Sequence, residues 1–196
     1  MLEKLRPYRW WILGLALLAV TGGGAAIAFA SLKQSDPRWS KKLLGKGGLK
    51  TIGSSGCLLT AMTMAHNAFY KAGLTPDVAN DRVINAFDGP DLIQPLAAKT
   101  LGMFTPGVTK LTGVDYASLA KVAADTLAKG GLAMAHVTYN GDLKGDHFIL
   151  VTQRSGGGFS ALDPAGGKIS LDPLLQGKGG LGNYVTVAVR PYFRAA

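Results

Sequence analysis

The stretch TIGSSGCLLTAMTMAHNAFYKAG, residues 51–73, passes from small loop residues into a helical pattern and holds the chain's single cysteine, Cys57. A helix is predicted over residues 57–71, with Gly73 as its stop. Cys57 then stands at the N-terminus of that helix. The partial positive charge there stabilises an anion such as a thiolate. Gly56, just before it, would let a substrate backbone come close. Taken alone, a single cysteine is more usually a small buried core residue. The choice between packing and nucleophile falls to residues elsewhere in the chain.

The flanking sequence sets the fold class. Residues 31–56 are loop-rich, punctuated by Gly45, Gly47, Gly48 and Gly53. A second helix is predicted from Thr75-Pro76-Asp77, with Thr75 as N-cap and Pro76 at the first helical position, running through Val78, Val83, Ile84 and Phe87. Residues 88–113 are mixed. Residues 115–129 have helical spacing at Leu119, Val122, Ala123 and Leu127, ended by Gly130-Gly131. The texture then changes. Residues 132–139, 147–153, 159–163 and 184–190 read as strands. Residues 148–151 are apolar on both faces, which marks a central strand. Ser155 to Gly158 form a hairpin turn. Helices first and an antiparallel sheet second make an α+β domain.

The N-terminus is different in kind. Residues 10–30, WWILGLALLAVTGGGAAIAFA, carry no charge and would span about 31 Å as a helix, enough to cross a bilayer core. Tyr8, Trp10 and Trp11 sit where an aromatic belt belongs. Ala28-Phe29-Ala30 also matches a signal-cleavage pattern, in which case the rest would be secreted. The run exceeds the ~7–15-residue core of a signal peptide, which favours a retained transmembrane helix. Ala19 and Gly23, four apart, could pack it against an assembly partner in the membrane. The organisation is thus a basic tail (1–9), a membrane segment (10–30) and one domain (31–196). Lys4, Arg6 and Arg9 favour a cytoplasmic tail, while Lys33, Arg38, Lys41 and Lys42 follow the segment closely. A hydrophobic segment ahead of a single domain usually exports it, so the domain is expected outside the cytoplasm.

The net charge of +9 favours anionic partners such as the bacterial wall or a membrane surface. A basic cluster at Lys33, Arg38, Lys41, Lys42, Lys46 and Lys50 lacks any nucleic-acid-binding signature around it, which argues against a nucleic-acid partner. One cysteine excludes an intramolecular disulfide and a multi-cysteine metal site.

A thiolate nucleophile needs a base, and the histidines are His66, His136 and His147. His66 lies nine residues down the helix from Cys57, about 13 Å along its axis, too far to pair with it. His136 falls mid-strand and reads as structural. His147 opens the most apolar strand after the loop 140–146, and a strand end is rigid yet exposed. Folding the hairpin about its glycines brings Asp163 within one or two cross-strand pairs of His147. There it can accept the Nδ1 proton and hold the ring toward Cys57. Asp163 is also a natural turn residue before Pro164. Asp146 would point to the opposite side of an extended chain. Acyl transfer needs oxyanion donors: the Cys57 N–H is one, and a side-chain amide such as Gln34 is a candidate for the other.

Gln34-Ser-Asp-Pro-Arg-Trp39, Ile52-Gly-Ser-Ser-Gly-Cys57, Leu74-Thr-Pro-Asp77, Gly145-Asp-His-Phe-Ile-Leu-Val151 and Leu162-Asp-Pro-Ala165 follow one another in order. In these motifs the chain, over about residues 32–192, resembles the C39-like, bacteriocin-processing-type cysteine peptidases of the papain-like fold. The resemblance implies Cys57 as nucleophile, His147 as base, Asp163 as orienter and Gln34 as oxyanion donor, with no cofactor. Many relatives carry Cys-Gly-Pro at the nucleophile; here Leu58 and Leu59 follow Cys57 and give the cleft a shape of its own. The transporter context is missing, for the chain has no P-loop. The implied activity is hydrolysis of an amide in a protein, a leader peptide or a peptidoglycan stem. The competing expectation is a catalytically silent peptide-binding or structural module of an envelope or virion assembly.

Overall fold

The computed structural model describes residues 30–89, 91–105, 108–110, 116–137, 147–155, 158–170 and 185–191. The basic tail and all but the last residue of the expected membrane segment lie outside these, as do the 140–146 loop and Asp146. Among the described residues no helix is long and apolar enough to cross a membrane.

The first half is helical. A short turn, α1 (Ile52–Ser55), precedes the long α2 (Cys57–Tyr70). The spacing did not announce α1, but its sequence explains it. Thr51 and Ser54 cap each other reciprocally, each side chain accepting the other's backbone N–H. Residues 58–65 of α2 are all buried, so this helix is covered on every side and forms the centre of the domain. It ends at Lys71, whose φ of 49° is left-handed, and not at Gly73. A helix can end on a lysine in this conformation where the surroundings hold it there, although glycine adopts it more readily.

Helix α3 (Pro76–Arg82) is shorter than expected. A 3₁₀ turn (Ile84–Ala86) follows it, and Phe87 already belongs to a strand. Thr75 makes no side-chain cap; its hydroxyl donates instead to the Asp77 carboxylate. The mixed region resolves into a two-stranded hairpin, β1 (Phe87–Asp88) and β2 (Asp91–Leu92), then α4 (Gln94–Thr100) and the short strands β3 (Met103–Phe104) and β4 (Val108–Lys110).

The second half holds α5 (Tyr116–Ala128) and the strands β5 (Leu132–Val137), β6 (His147–Ser155), β7 (Gly158–Asp163), β8 (Gly167–Ser170) and β9 (Val185–Pro191). They form an antiparallel sheet in the order β3-β9-β5-β6-β7-β8, with β4 also on β9. The apolar strand β6 is central, as its pattern required. Strand β8 was not legible in Gly167-Lys168-Ile169-Ser170. Alternate residues face opposite sides. Leu132, Met134, Leu150 and Leu162 pack against the α2 side, while Ala133, Ala135, Ile149 and Ala161 pack with Ala123 and Leu127 of α5. Small side chains on the second face let α5 lie close. The domain is thus α+β, with helices on both faces of the sheet.

Candidate active site

Cys57 is the first residue of α2 and is half-buried. The loop before it is held tightly. A Cβ on Gly56 would lie 2.5 Å from the Ile52 carbonyl oxygen and 2.9 Å from Ile52 Cα. Glycine is required there because α1 folds back onto it, which is a different reason from substrate approach. Gly56 offers no side-chain cap to α2. The first N–H groups of a helix have no partner within it, so those at Cys57 are not taken by a capping side chain.

His147 is the first residue of β6 and Asp163 the last of β7. Leu150 pairs with Leu162, which sets Asp163 level with Ile149 and two residues from His147 on the same face. Alternation assigns both to the α5 side, but they stand at the margin of the sheet, where the ring reaches past it to Cys57. His147 Nε2 lies 2.6 Å from Asp163 Oδ1, and both side chains are only 8% exposed. The nitrogen facing the carboxylate is Nε2 and not the expected Nδ1. Nδ1 is therefore the ring atom left for the hydrogen bond with Cys57. Burial pushes the imidazole toward its neutral form. Hydrogen bonds to Asp163 and Cys57, with their charges, outweigh it and raise the pKa to about 9. Asp163 also accepts the Ala165 N–H at 2.7 Å. The same carboxylate therefore orients the ring and shapes the Asp-Pro turn, the two uses its sequence position allowed.

Gln34 is placed by a local anchor. The buried Trp39 donates its indole N–H to the Lys33 carbonyl at 2.8 Å, and Asp36 takes the Arg38 guanidinium at 2.7 Å. The Gln34 backbone N–H donates to the Pro164 carbonyl at 2.8 Å. Its side-chain Nε2 donates to the Gly53 carbonyl at 3.0 Å. That carbonyl can only accept, so the amide orientation is fixed. One N–H of the amide is thereby committed to the loop before Cys57. Oε1 is buried without a partner among the described residues. Gln34 thus ties the end of β7 to the loop before Cys57.

The other histidines stand apart. His66 Nδ1 meets the Leu101 carbonyl at 2.9 Å, and burial pushes this imidazole down. His136 stacks flat on Phe148 with centroids 4.2 Å apart. Within the basic cluster, Lys42 pairs with Asp81 at 2.6 Å and Arg38 with Asp36. No group of metal-ligating side chains is found among the described residues.

A cavity of about 110 Å³ opens beside Cys57, with Leu58, Leu59, Phe148 and the β1–β2 hairpin among its lining. The two leucines that depart from Cys-Gly-Pro are therefore part of the cleft. The spacing did not single out the hairpin, although Asp88-Gly89 between Phe87 and Leu92 is a turn signal.

A thiol, an imidazole and a carboxylate are thus linked in that order. No family model matches the sequence, and no curated protein matches it. Among solved structures, a similar chain is a double glycine motif protease from an AMS/PCAT transporter, crystallised with the leader peptide. It is 16% identical over 68% of this chain and 83% of that one, with a TM-score of 0.43. A likeness so loose carries no functional weight beside the side chains themselves.

Proposed function

We propose that this protein is a membrane-anchored, extracytoplasmic cysteine peptidase of the C39-like, papain-fold type. Its substrate is an amide bond in a protein, a leader peptide or a peptidoglycan stem. The observation that supports it most is the buried His147, held at 2.6 Å by Asp163 and hydrogen-bonded to Cys57 at a helix start.

In this reading the proton shared by Cys57 and His147 rests on the imidazole. The sulfur attacks the carbonyl carbon. The Cys57 N–H and the free Gln34 amide hydrogen receive the oxyanion. His147 passes its proton to the leaving amine, and the acyl group stays on Sγ. Water, deprotonated by His147, then releases the acid. Asp163 holds the ring throughout. Residues 10–30 anchor the chain, and the charge of +9 draws it to an anionic wall or membrane surface.

The test is alkylation of the full chain in detergent by iodoacetamide at pH 7, read by mass spectrometry. Cys57 should react faster than a free thiol, and His147→Ala should slow it at least tenfold. A Cys57 that is unreactive when folded, or indifferent to His147, would sink the proposal.

A further inference from the structure

The loop between Leu44 and Thr51 holds an apolar side chain out in water. Leu49 is 100% exposed, and Leu43, at the base of the loop, 51%. A slack loop could fold such a side chain back onto the domain, but this one is braced. The buried Asn80 grips its first turn: Oδ1 accepts the Gly45 N–H at 3.1 Å, and Nδ2 donates to the Leu43 carbonyl at 3.1 Å. The Leu44 N–H donates to the Lys50 carbonyl at 3.0 Å and closes the loop. Gly45 and Gly47 take the left-handed φ of 60° and 69° that this tight path needs.

The surroundings of Leu49 are basic. Lys41, Lys46 and Lys50 are all exposed, and none has an ion-pair partner among the described residues. The Lys46 ammonium meets only the neutral Asn85 amide, at 2.8 Å. Residues 31–50 hold six basic side chains and one acidic one, Asp36, which Arg38 already takes. The chain leaves the proposed anchor at the same end of the domain. Residue 30 closes that segment, and Gln34 is bonded to Gly53, four residues from Leu49.

We propose, on the membrane-anchored reading above, that this loop is a second membrane contact. Leu49 dips into the interface of an anionic bilayer, and Lys41, Lys46 and Lys50 lie against its phosphate headgroups. An apolar tip among lysines matches that interface in both its layers, charge outside and hydrocarbon within. A wall polymer would engage the lysines and leave the leucine in water. Two contacts fix what one tether leaves free, the rotation of the domain about its anchor.

The experiment places the full chain in lipid nanodiscs, either neutral phosphatidylcholine or with phosphatidylglycerol added. Cys57→Ser removes the native thiol. Leu49→Cys, or as control Ala128→Cys at the exposed end of α5, carries the environment-sensitive fluorophore NBD. Its lifetimes separate labels in hydrocarbon from labels in water. In anionic discs the label at 49 should sit mainly in hydrocarbon and the label at 128 in water. A lysine near such a surface favours docking about fivefold, so Lys50→Gln should lower the ratio of inserted to aqueous label at 49 by about that factor. Neutral discs should lower it further. A label at 49 that stays aqueous in anionic discs, or an inserted fraction indifferent both to lipid charge and to Lys50→Gln, would overturn the inference. So would an aqueous label that responds only to added teichoic acid, which would assign the lysines to the wall. A failure of the anchor shows separately, as a chain that does not co-elute with neutral discs; the label at 49 still reads the loop on anionic ones.

Discussion

The carboxylate of Asp163 should control the protonation of His147, and Asp163→Asn tests this directly. The imidazole is raised from 6.5 to about 9, a difference of about 3 kcal/mol at 1.36 kcal/mol per unit. Burial works against that rise, so the hydrogen bonds to Asp163 and Cys57 together exceed it. Asparagine keeps an oxygen near Nε2 and removes the charge. Burial then meets the Cys57 contact alone, and the ring should titrate at least one unit lower. At pH 8 about nine-tenths of the wild-type rings would be protonated, against half or fewer in the variant. Carbon-13 labelling of the histidine ring Cε1 reads this by NMR, with the His147 signal assigned from His147→Gln. The apparent value belongs to the coupled Cys57–His147 pair. A variant that still titrates near 9, or a wild type near 6.5, would refute the role given to Asp163. The same shift has a stability consequence. The folded value lies above the unfolded one of 6.5, so the site stabilises the fold fully below pH 6.5 and loses this as pH rises through about 9. The difference in urea midpoint between wild type and Asp163→Asn should therefore be widest near pH 6 and narrow above pH 9.

Two further substitutions probe the surroundings. Gly56→Ala would bring a Cβ to 2.5 Å from the Ile52 carbonyl oxygen and should cost about 1–3 kcal/mol in urea unfolding; a loss below about 0.5 kcal/mol would mean that α1 yields freely. Gln34→Ala should lower kcat on a cleavable peptide by about 10²–10³ with little change in KM, as expected for a lost oxyanion donor; an unchanged kcat would remove Gln34 from the chemistry.

What the chain disclosed in advance followed from strong periodicities. Residues 58–65 of α2 are all buried, as are Ile149, Leu150 and Val151 of the block 148–151, so α2 and the central strand were the easiest elements to read. The His147–Asp163 neighbourhood followed from hairpin arithmetic, because Ser155 does pair with Gly158. The ring nitrogen did not follow, since backbone spacing says nothing about how an imidazole rotates. Gly56 misled for a related reason: a glycine records that something comes close, and here it is Ile52. Lys71 took a left-handed conformation at a position where composition pointed to Gly73. The β1–β2 hairpin is only two residues per strand, too short for any alternation to show, yet Phe87 and Leu92 line the cavity beside Cys57.

The double attachment of Gln34, to Pro164 through its backbone and to Gly53 through its side chain, pins the chain at residue 34 to the end of the domain that holds Cys57. Residue 30 closes the proposed anchor. Four residues reach at most about 14 Å. With the proposed anchor in a bilayer, that leash would keep the thiol from sweeping a volume of solution and hold it in a thin layer over the lipid headgroups. Substrates would have to arrive at the membrane surface themselves, and cleavage would depend on their concentration in that layer and not in the bulk.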